Sequence, residues 1–268
     1  NTWHHVPSFP NCMIGSIAKS LNGTYYVGTG SLFDGAGGDG GSGFRGRGVY
    51  RSSDAVNWTL IPNTDPGEFN TGDWTAVDCL VADPNNPGRV FVGSNAGFGY
   101  LEGDVVEMGF AEGIPNQDIQ DIFIAPDNSY MLVVAGSGRV YRSTNSSFTT
   151  FEEKFGNDDG QLPQSGIGRA RVAISQDDAN FAYAVFATSA GGFGGLYAST
   201  DAGVEWEVVW PGGNPEFTPL PRNQGIYDLA LGIKKNDPGI AYVGGIEVWR
   251  AGVDQQAELA AYSFNFPG

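Results

Sequence analysis

The chain has 268 residues, of which 41 are Gly, and 14 Lys plus Arg stand against 30 Asp plus Glu, for a net charge of −16. That charge argues against a nucleic-acid ligand or an anionic membrane surface, because both need a basic patch, and no apolar run approaches the roughly 20 residues that span a bilayer. A 13% share of aromatics excludes a disordered chain, the glycines have no collagen period, and Leu, Lys and Glu are too sparse for heptads.

The predicted elements are short β-rich runs between turn residues, and they repeat. Apolar strands ending in glycine stand at Tyr25 to Gly28, Val90 to Gly93, Leu132 to Gly136 and Ala241 to Gly244, with Tyr183 to Phe186 in the corresponding place. Each follows a short strand, which in several repeats runs into an Asp/Pro/Asn turn, as in Leu80 to Asn85, Phe123 to Asn128, Val172 to Asp177 and Leu229 to Gly232. After each comes a third phrase: Gly48 to Asp54, Gly138 to Asn145, Gly195 to Asp201 and a decayed Gly245 to Ala251. The long gap between Tyr50 and Tyr141 holds a degenerate copy near Phe98 to Gly103.

Each repeat therefore reads as strand, turn, strand, loop, strand, turn, strand. Five such repeats predict an all-β chain, a β-propeller of four-stranded antiparallel blades forming one domain over 1–268. The blades run roughly over 8–62, 74–115, 118–155, 166–210 and 224–251. The only helix expected lies within Asp254 to Ala261, on the propensity of Gln255, Gln256, Ala257, Glu258 and Leu259.

The third phrase carries a family resemblance. Ser199, Asp201, Gly203 and Trp206 match the Ser-x-Asp-x-Gly-x-x-Trp pattern, and Ser52, Asp54 and Trp58 match it one residue short, without the glycine. Ser143 and Asn145 form a third copy with Asn for Asp and no Trp. These residues resemble the Asp-box, or BNR repeat, of sialidase- and sortilin-like propellers. Gln224 to Leu231 is similar to blades of secreted Bacteroidetes-type cell-surface propellers. The resemblance implies a secreted or cell-surface location, further domains of the same polypeptide, and a ring larger than the five blades recognised here. It implies a structural role for the box: Asp accepts bonds from nearby backbone N–H groups at a tight turn, Gly tolerates positive φ, and Trp pins the turn.

Residues that could carry chemistry are few. His4 and His5 are the only histidines, adjacent on one strand, which argues against a metal cluster or a Ser-His-Asp triad. A sialidase needs an arginine triad, yet Arg51, Arg142 and Arg250 are occupied by the repeat phrase. Aligned on the first strands, Asp78, Asp121, Arg171 and Asp228 share one position, with Gly15 there in the first repeat. They are expected to face a ligand at one channel mouth, or else to cap the strands. The Gly-rich run Asp34 to Gly48 reads as a loop, with a surface Ca²⁺ site at Asp34 and Asp39 as the alternative. No other cofactor is expected.

The expected function is a non-catalytic binding or structural module whose partner is a carbohydrate or a protein, with no nucleic acid and no membrane insertion. The alternative is a glycoside hydrolase using paired carboxylates on the channel-mouth face. Cys12 and Cys79 are expected at different heights of neighbouring blades, about 13 Å apart along the strand, too far for a bridge unless the chain folds back. The fifth repeat shows no Trp-bearing fourth strand, and Trp3-His4-His5-Val6-Pro7 resembles Trp58-Thr59-Leu60-Ile61-Pro62. Trp3 to Val6 beside Glu247 to Arg250 would therefore close a five-bladed ring, and the larger ring predicts that this pairing does not form.

Overall fold

The structure is a computed structural model that describes residues 6–10, 12–33, 44–68, 72–154, 162–163, 165–213, 224–253 and, as backbone, 255–261. It contains five four-stranded antiparallel sheets, each a meander of the kind that forms a propeller blade. Sheet 1 holds β1 (Ile14–Lys19), β2 (Tyr25–Thr29), β3 (Val49–Ser52) and β4 (Thr59–Leu60). Sheet 2 holds β5 (Val77–Ala82), β6 (Arg89–Ser94), β7 (Gly97–Glu102) and β8 (Val105–Met108). Sheet 3 holds β9 (Ile119–Ile124), β10 (Met131–Ala135), β11 (Arg139–Ser143) and β12 (Phe151–Glu153). Sheet 4 holds β13 (Ile167–Ile174), β14 (Ala182–Thr188), β15 (Phe193–Ser199) and β16 (Glu207–Pro211). Sheet 5 holds β17 (Ala230–Ile233), β18 (Ile240–Gly244), β19 (Val248–Gly252) and β20 (Gln255–Ala261).

The chain divides into two compact units, Asn1–Ile122 and Phe123–Gly268. In the first, Tyr26, Val49 and Ile61 of sheet 1 pack on Val77, Leu80, Val90, Val92 and Leu101 of sheet 2. The approach is close enough that a Cβ at Gly28 would meet Val77 Cγ1 at 2.5 Å. In the second unit, Leu132, Val134 and Val140 pack on Ala170, Val172, Ala184, Phe186 and Tyr197. The other face of sheet 4, with Tyr183, Val185 and Leu196, packs on Ala241, Val243 and Ala251. Phe186 and Tyr183 are fully buried, and burial of the Phe186 ring contributes roughly 1.5–3 kcal/mol of transfer free energy.

One bond sets a common register. Just after the first strand, a backbone N–H donates to a carbonyl at or just before the start of the second: Ser20 to Thr24, Asp83 to Arg89, Ala125 to Tyr130, Ser175 to Phe181 and Lys234 to Ile240.

Of the helix expected within Asp254 to Ala261, residues Gln255–Ala261 form a strand. β20 pairs with β19, Trp249 opposite Leu259 and Arg250 opposite Glu258. Helix propensity there amounts to tenths of a kcal/mol per residue, whereas an unpaired edge leaves a row of backbone groups without protein partners. The fifth sheet thus draws its fourth strand from its own repeat. Residues 1–5 lie outside the described residues, and both edges of β19 are taken, one by β18 and the other by β20. A helical turn, α1 (Gly225–Asp228), instead precedes β17, and a single 3-10 turn spans Pro62–Thr64. Among the described residues, no helix is long and apolar enough to cross a membrane. Cys12 and Cys79 are both free thiols, and burial pushes the Cys12 thiol up against the opposing effect of Arg47.

Candidate functional site

Each sheet has two unlike ends. The turns between first and second strands and between third and fourth strands lie at one end. The starts of the first strands and the loops between second and third strands lie at the other.

At the turn end, the Ser-x-Asp residues are engaged with one another. Ser52 Oγ donates to Asp54 Oδ1 at 2.9 Å, which also accepts from the backbone of Val56 at 2.9 Å and of Asn57 at 2.7 Å. Asn57 Nδ2 donates to Asp54 Oδ2 at 2.8 Å. These bonds, led by the Asn57 amide, hold the Asp54 carboxyl far below the usual carboxylate range. Ser199 Oγ donates to Asp201 Oδ1 at 2.8 Å, joined by the backbone of Val204 at 3.1 Å and Glu205 at 2.9 Å. Burial pushes the Asp201 carboxyl up, but the bonds from Glu205, Ser199 and Val204 outweigh it and the net shift is downward. Gly203, at φ +78°, donates to Ser199 Oγ at 2.9 Å, and Trp206 is buried. Asn145 Oδ1 accepts from Thr149 N at 3.1 Å, and Ser143 Oγ accepts from Met131 N at 2.7 Å. Carboxylates satisfied this way hold turns and are poorly placed to move protons. Beside the turns of sheets 3 and 4 lies an open groove of about 440 Å³, lined by Asp127, Asp177, Asp178 and Asn180 among others.

At the opposite end of the first unit, Asp78 sits at a bulge of β5 between Val77 and Cys79. Its Oδ1 accepts from Ser31 Oγ at 2.9 Å and from Leu32 N at 3.4 Å, which fastens the start of the β2–β3 loop to sheet 2. A matching bulge in β1 falls at Gly15, where a Cβ would collide with the carbonyl oxygens of Gly30 and Val77. Ser16 Oγ donates to that Val77 carbonyl at 2.9 Å. At the start of β9, Gln120 is buried and Asp118 and Asp121 are half-buried. Burial pushes the Asp118 carboxyl up, opposed by its own amide and the Gln120 side chain. Asp118 is thus a carboxyl held toward its neutral form, beside acids held ionised at the other end of the sheets.

The common register corrects the expected alignment. Counted back from the hairpin donor, Asp121 and Arg171 are equivalent to Ser16, Cys79 and Ala230. Asp78 shares its place with Gly15, one residue earlier, and Asp228 stands outside its strand on α1. One residue along a strand changes the face, and the bulges at Gly15 and Asp78 hid that shift from a sequence alignment. Arg171 pairs opposite Val185 in β13, and the Asp228 amide donates to Gln224 O at 3.0 Å. Asp34 and Asp39 lie outside the described residues, as do His4 and His5. Among the described residues, no group of three or more His, Cys, Asp or Glu is arranged to hold a metal ion.

Three polar residues were missed in the sequence. Asp118 and Gln120 carry a readable signal, a polar run from Asn116 to Asp121 leading into an inner strand. Arg169 carried none: it is 5% exposed, and its Nη1 donates to Ile226 O at 2.5 Å, holding α1 against β13.

No family profile and no curated protein matches the chain. Solved structures do. An ancestral GH74 enzyme matches 97% of the chain at 15% identity with a TM-score of 0.63, over 32% of its own length. An extracellular domain assigned to a one-component system of B. thetaiotaomicron matches 96% at 12% identity and a TM-score of 0.60, over 30% of its length. The GH74 enzyme of Niastella koreensis matches 87% at 17% identity and 0.55, over 35% of its length. The chain spans about a third of these structures, and at such identities the likeness is one of fold: the five sheets are propeller blades.

Proposed function

We propose that the chain is a non-catalytic binding module of a secreted or cell-surface multidomain protein, and that its ligand is a carbohydrate or a protein. The observation that carries this reading is Asp78. Its Oδ1 is spent on Ser31 and Leu32, so the strand-start end of the first unit presents these two residues held to sheet 2, and the half-buried Asp118 and Asp121 stand at the start of β9. Residues held in place beforehand bind without the entropy cost of ordering them. The turn end, built from what we read as Asp-boxes, is the scaffold. Extracellular domains among the structural neighbours support a surface location.

Asp118 favours a second reading, a glycoside hydrolase. A carboxyl held toward its neutral form by burial is what a general acid requires, and GH74 enzymes share the fold. A glycan array run beside hydrolysis assays on polysaccharides separates the two. Binding without turnover, weakened by Asp78→Ala and kept by Asp118→Asn, is expected. Hydrolysis abolished by Asp118→Asn would replace the first reading with the second.

A further inference from the structure

Sheet 2 turns one face toward sheet 1, and that face begins with Val77 and Leu80 on its innermost strand. Val77 pairs with Ser94 just ahead of the bulge, and Leu80 pairs with Val92. In sheet 1 the same places belong to Ile14, paired with Thr29, and Ile17, paired with Val27. The residue types agree and the burial does not. Val77 and Leu80 are 0% and 7% exposed, whereas Ile14 and Ile17 are 53% and 64% exposed. The second unit repeats the rule. Val172, at the place of Ile17 in sheet 4, is buried against sheet 3, and Leu231 in sheet 5 packs against sheet 4. Wherever a sheet precedes within a unit, the aliphatic residue at the place of Ile17 is covered by it.

We infer that the face of sheet 1 bearing Ile14 and Ile17 docks a further four-stranded sheet of this same repeat, carried by the same polypeptide. The covering face has a precedent in sheet 1, whose second strand lays Tyr26 and Gly28 over Val77, and in sheet 3, whose second strand lays Leu132 and Val134 against sheet 4. The sequence indicates where that sheet belongs. Trp3-His4-His5-Val6-Pro7 repeats the spacing of Trp58-Thr59-Leu60-Ile61-Pro62, which leads out of sheet 1, so it reads as the close of a repeat ahead of β1. The chain between them already shields the outer part of the face. Phe9 lies 5.0 Å from Tyr50 and 5.6 Å from Trp58, ring to ring. Only the inner part, at Ile14 and Ile17, stays open, and an arriving inner strand would cover it. Such burial removes apolar surface from water in the way it does at Leu80.

The test is thiol labelling of Ile17→Cys in a Cys12→Ser, Cys79→Ser background, in the 268-residue chain and in the polypeptide as the cell makes it. Rapid labelling at every concentration in the first, and labelling about tenfold slower or more in the second, is expected. Equal rates would overturn the inference. So would slow labelling in the 268-residue chain: if dilution relieves it and sedimentation shows a dimer, a second copy is the occupant, and if dilution does not, the chain covers its own face. Ile17→Lys gives a check without cysteines. It should leave the melting temperature of the 268-residue chain unchanged and lower that of the whole polypeptide, and no drop in the latter would equally overturn the inference.

Discussion

The turn from Ser52 to Trp58 and the turn from Ser199 to Trp206 begin identically and end differently. Both place an Asp oxygen over two successive backbone N–H groups, and both put an alanine in the left-handed region, Ala55 at φ 60° and Ala202 at φ 63°. The second turn then has Gly203, where an added Cβ would meet Leu132 Cδ2 at 3.3 Å and Tyr130 Cε2 at 3.5 Å. That extra residue lets Trp206 turn inward to 3% exposure, among the side chains of sheets 3 and 4. The first turn lacks it. Trp58 stays half-exposed, donates to Ala55 O at 3.2 Å and takes the edge of Phe9 as its cover. The hydrogen bonds of such a turn are therefore local and survive a deletion, while the burial of its anchor depends on the length of chain that reaches the core.

The largest expected effect tests the anchors. Trp206→Ala should cost about 3–5 kcal/mol in urea unfolding, and Trp58→Ala at most about 1 kcal/mol. Equal losses would mean that the extra glycine changes nothing. Next comes Asp201→Ala, expected to cost about 1 kcal/mol at pH 7, kept small by solvent screening. Because the folded pKa of Asp201 is lowered, that stability is present above the usual aspartate value near 3.9 and is lost as pH falls through the folded value. Wild type and variant should therefore converge as the solution is acidified, and a gap that does not narrow at all below about pH 3.9 would rule out the carboxylate as the cause.

Ala55→Gly and Ala202→Gly are expected to stabilise by about 0.5 kcal/mol each, since a Cβ is strained at positive φ. A loss at either site would show that the alanine methyl is packing. The smallest effect concerns a carboxyl shifted the other way. With its folded pKa raised, Asp118 lowers stability as pH rises through the unfolded and then the folded value. Asp118→Asn should thus raise the melting temperature by about a degree or two near neutral pH and leave it unchanged near pH 3. A drop at neutral pH would mean that Asp118 is ionised and paired in the folded protein.

Much of the fold was legible in the residues. The Tyr-Arg-Ser phrases at 50–52 and 141–143 and the glycine-ended strands fall on third and second strands of successive sheets, and Gly97–Glu102 is the third strand expected in the degenerate copy. The candidate site was legible in part. Asp78 and Asp121 were found from their place ahead of apolar strands. They were assigned a shared position that they do not have, because a bulge inserts one residue that no composition signal marks.

Local chemistry settled what the sequence could determine by itself. The two-residue alternation of apolar side chains, the turn-forming Asp, Asn and Gly, and the Ser-x-Asp phrases all act within a few residues, so the number of sheets and the nature of their turns follow from short stretches. Contacts distant in sequence settled the rest. Gln255 to Ala261 is a strand because β19 offered an open edge, against the preference of its own residues. Gly225 to Asp228 is a helical turn beside Arg169, 57 residues away. Ile17 and Leu80 carry the same instruction, an aliphatic side chain on the same face of an inner strand, and whether it is buried depends on whether another sheet lies against it. Burial is a property of the neighbour as much as of the residue, and a neighbour is supplied only by tertiary structure.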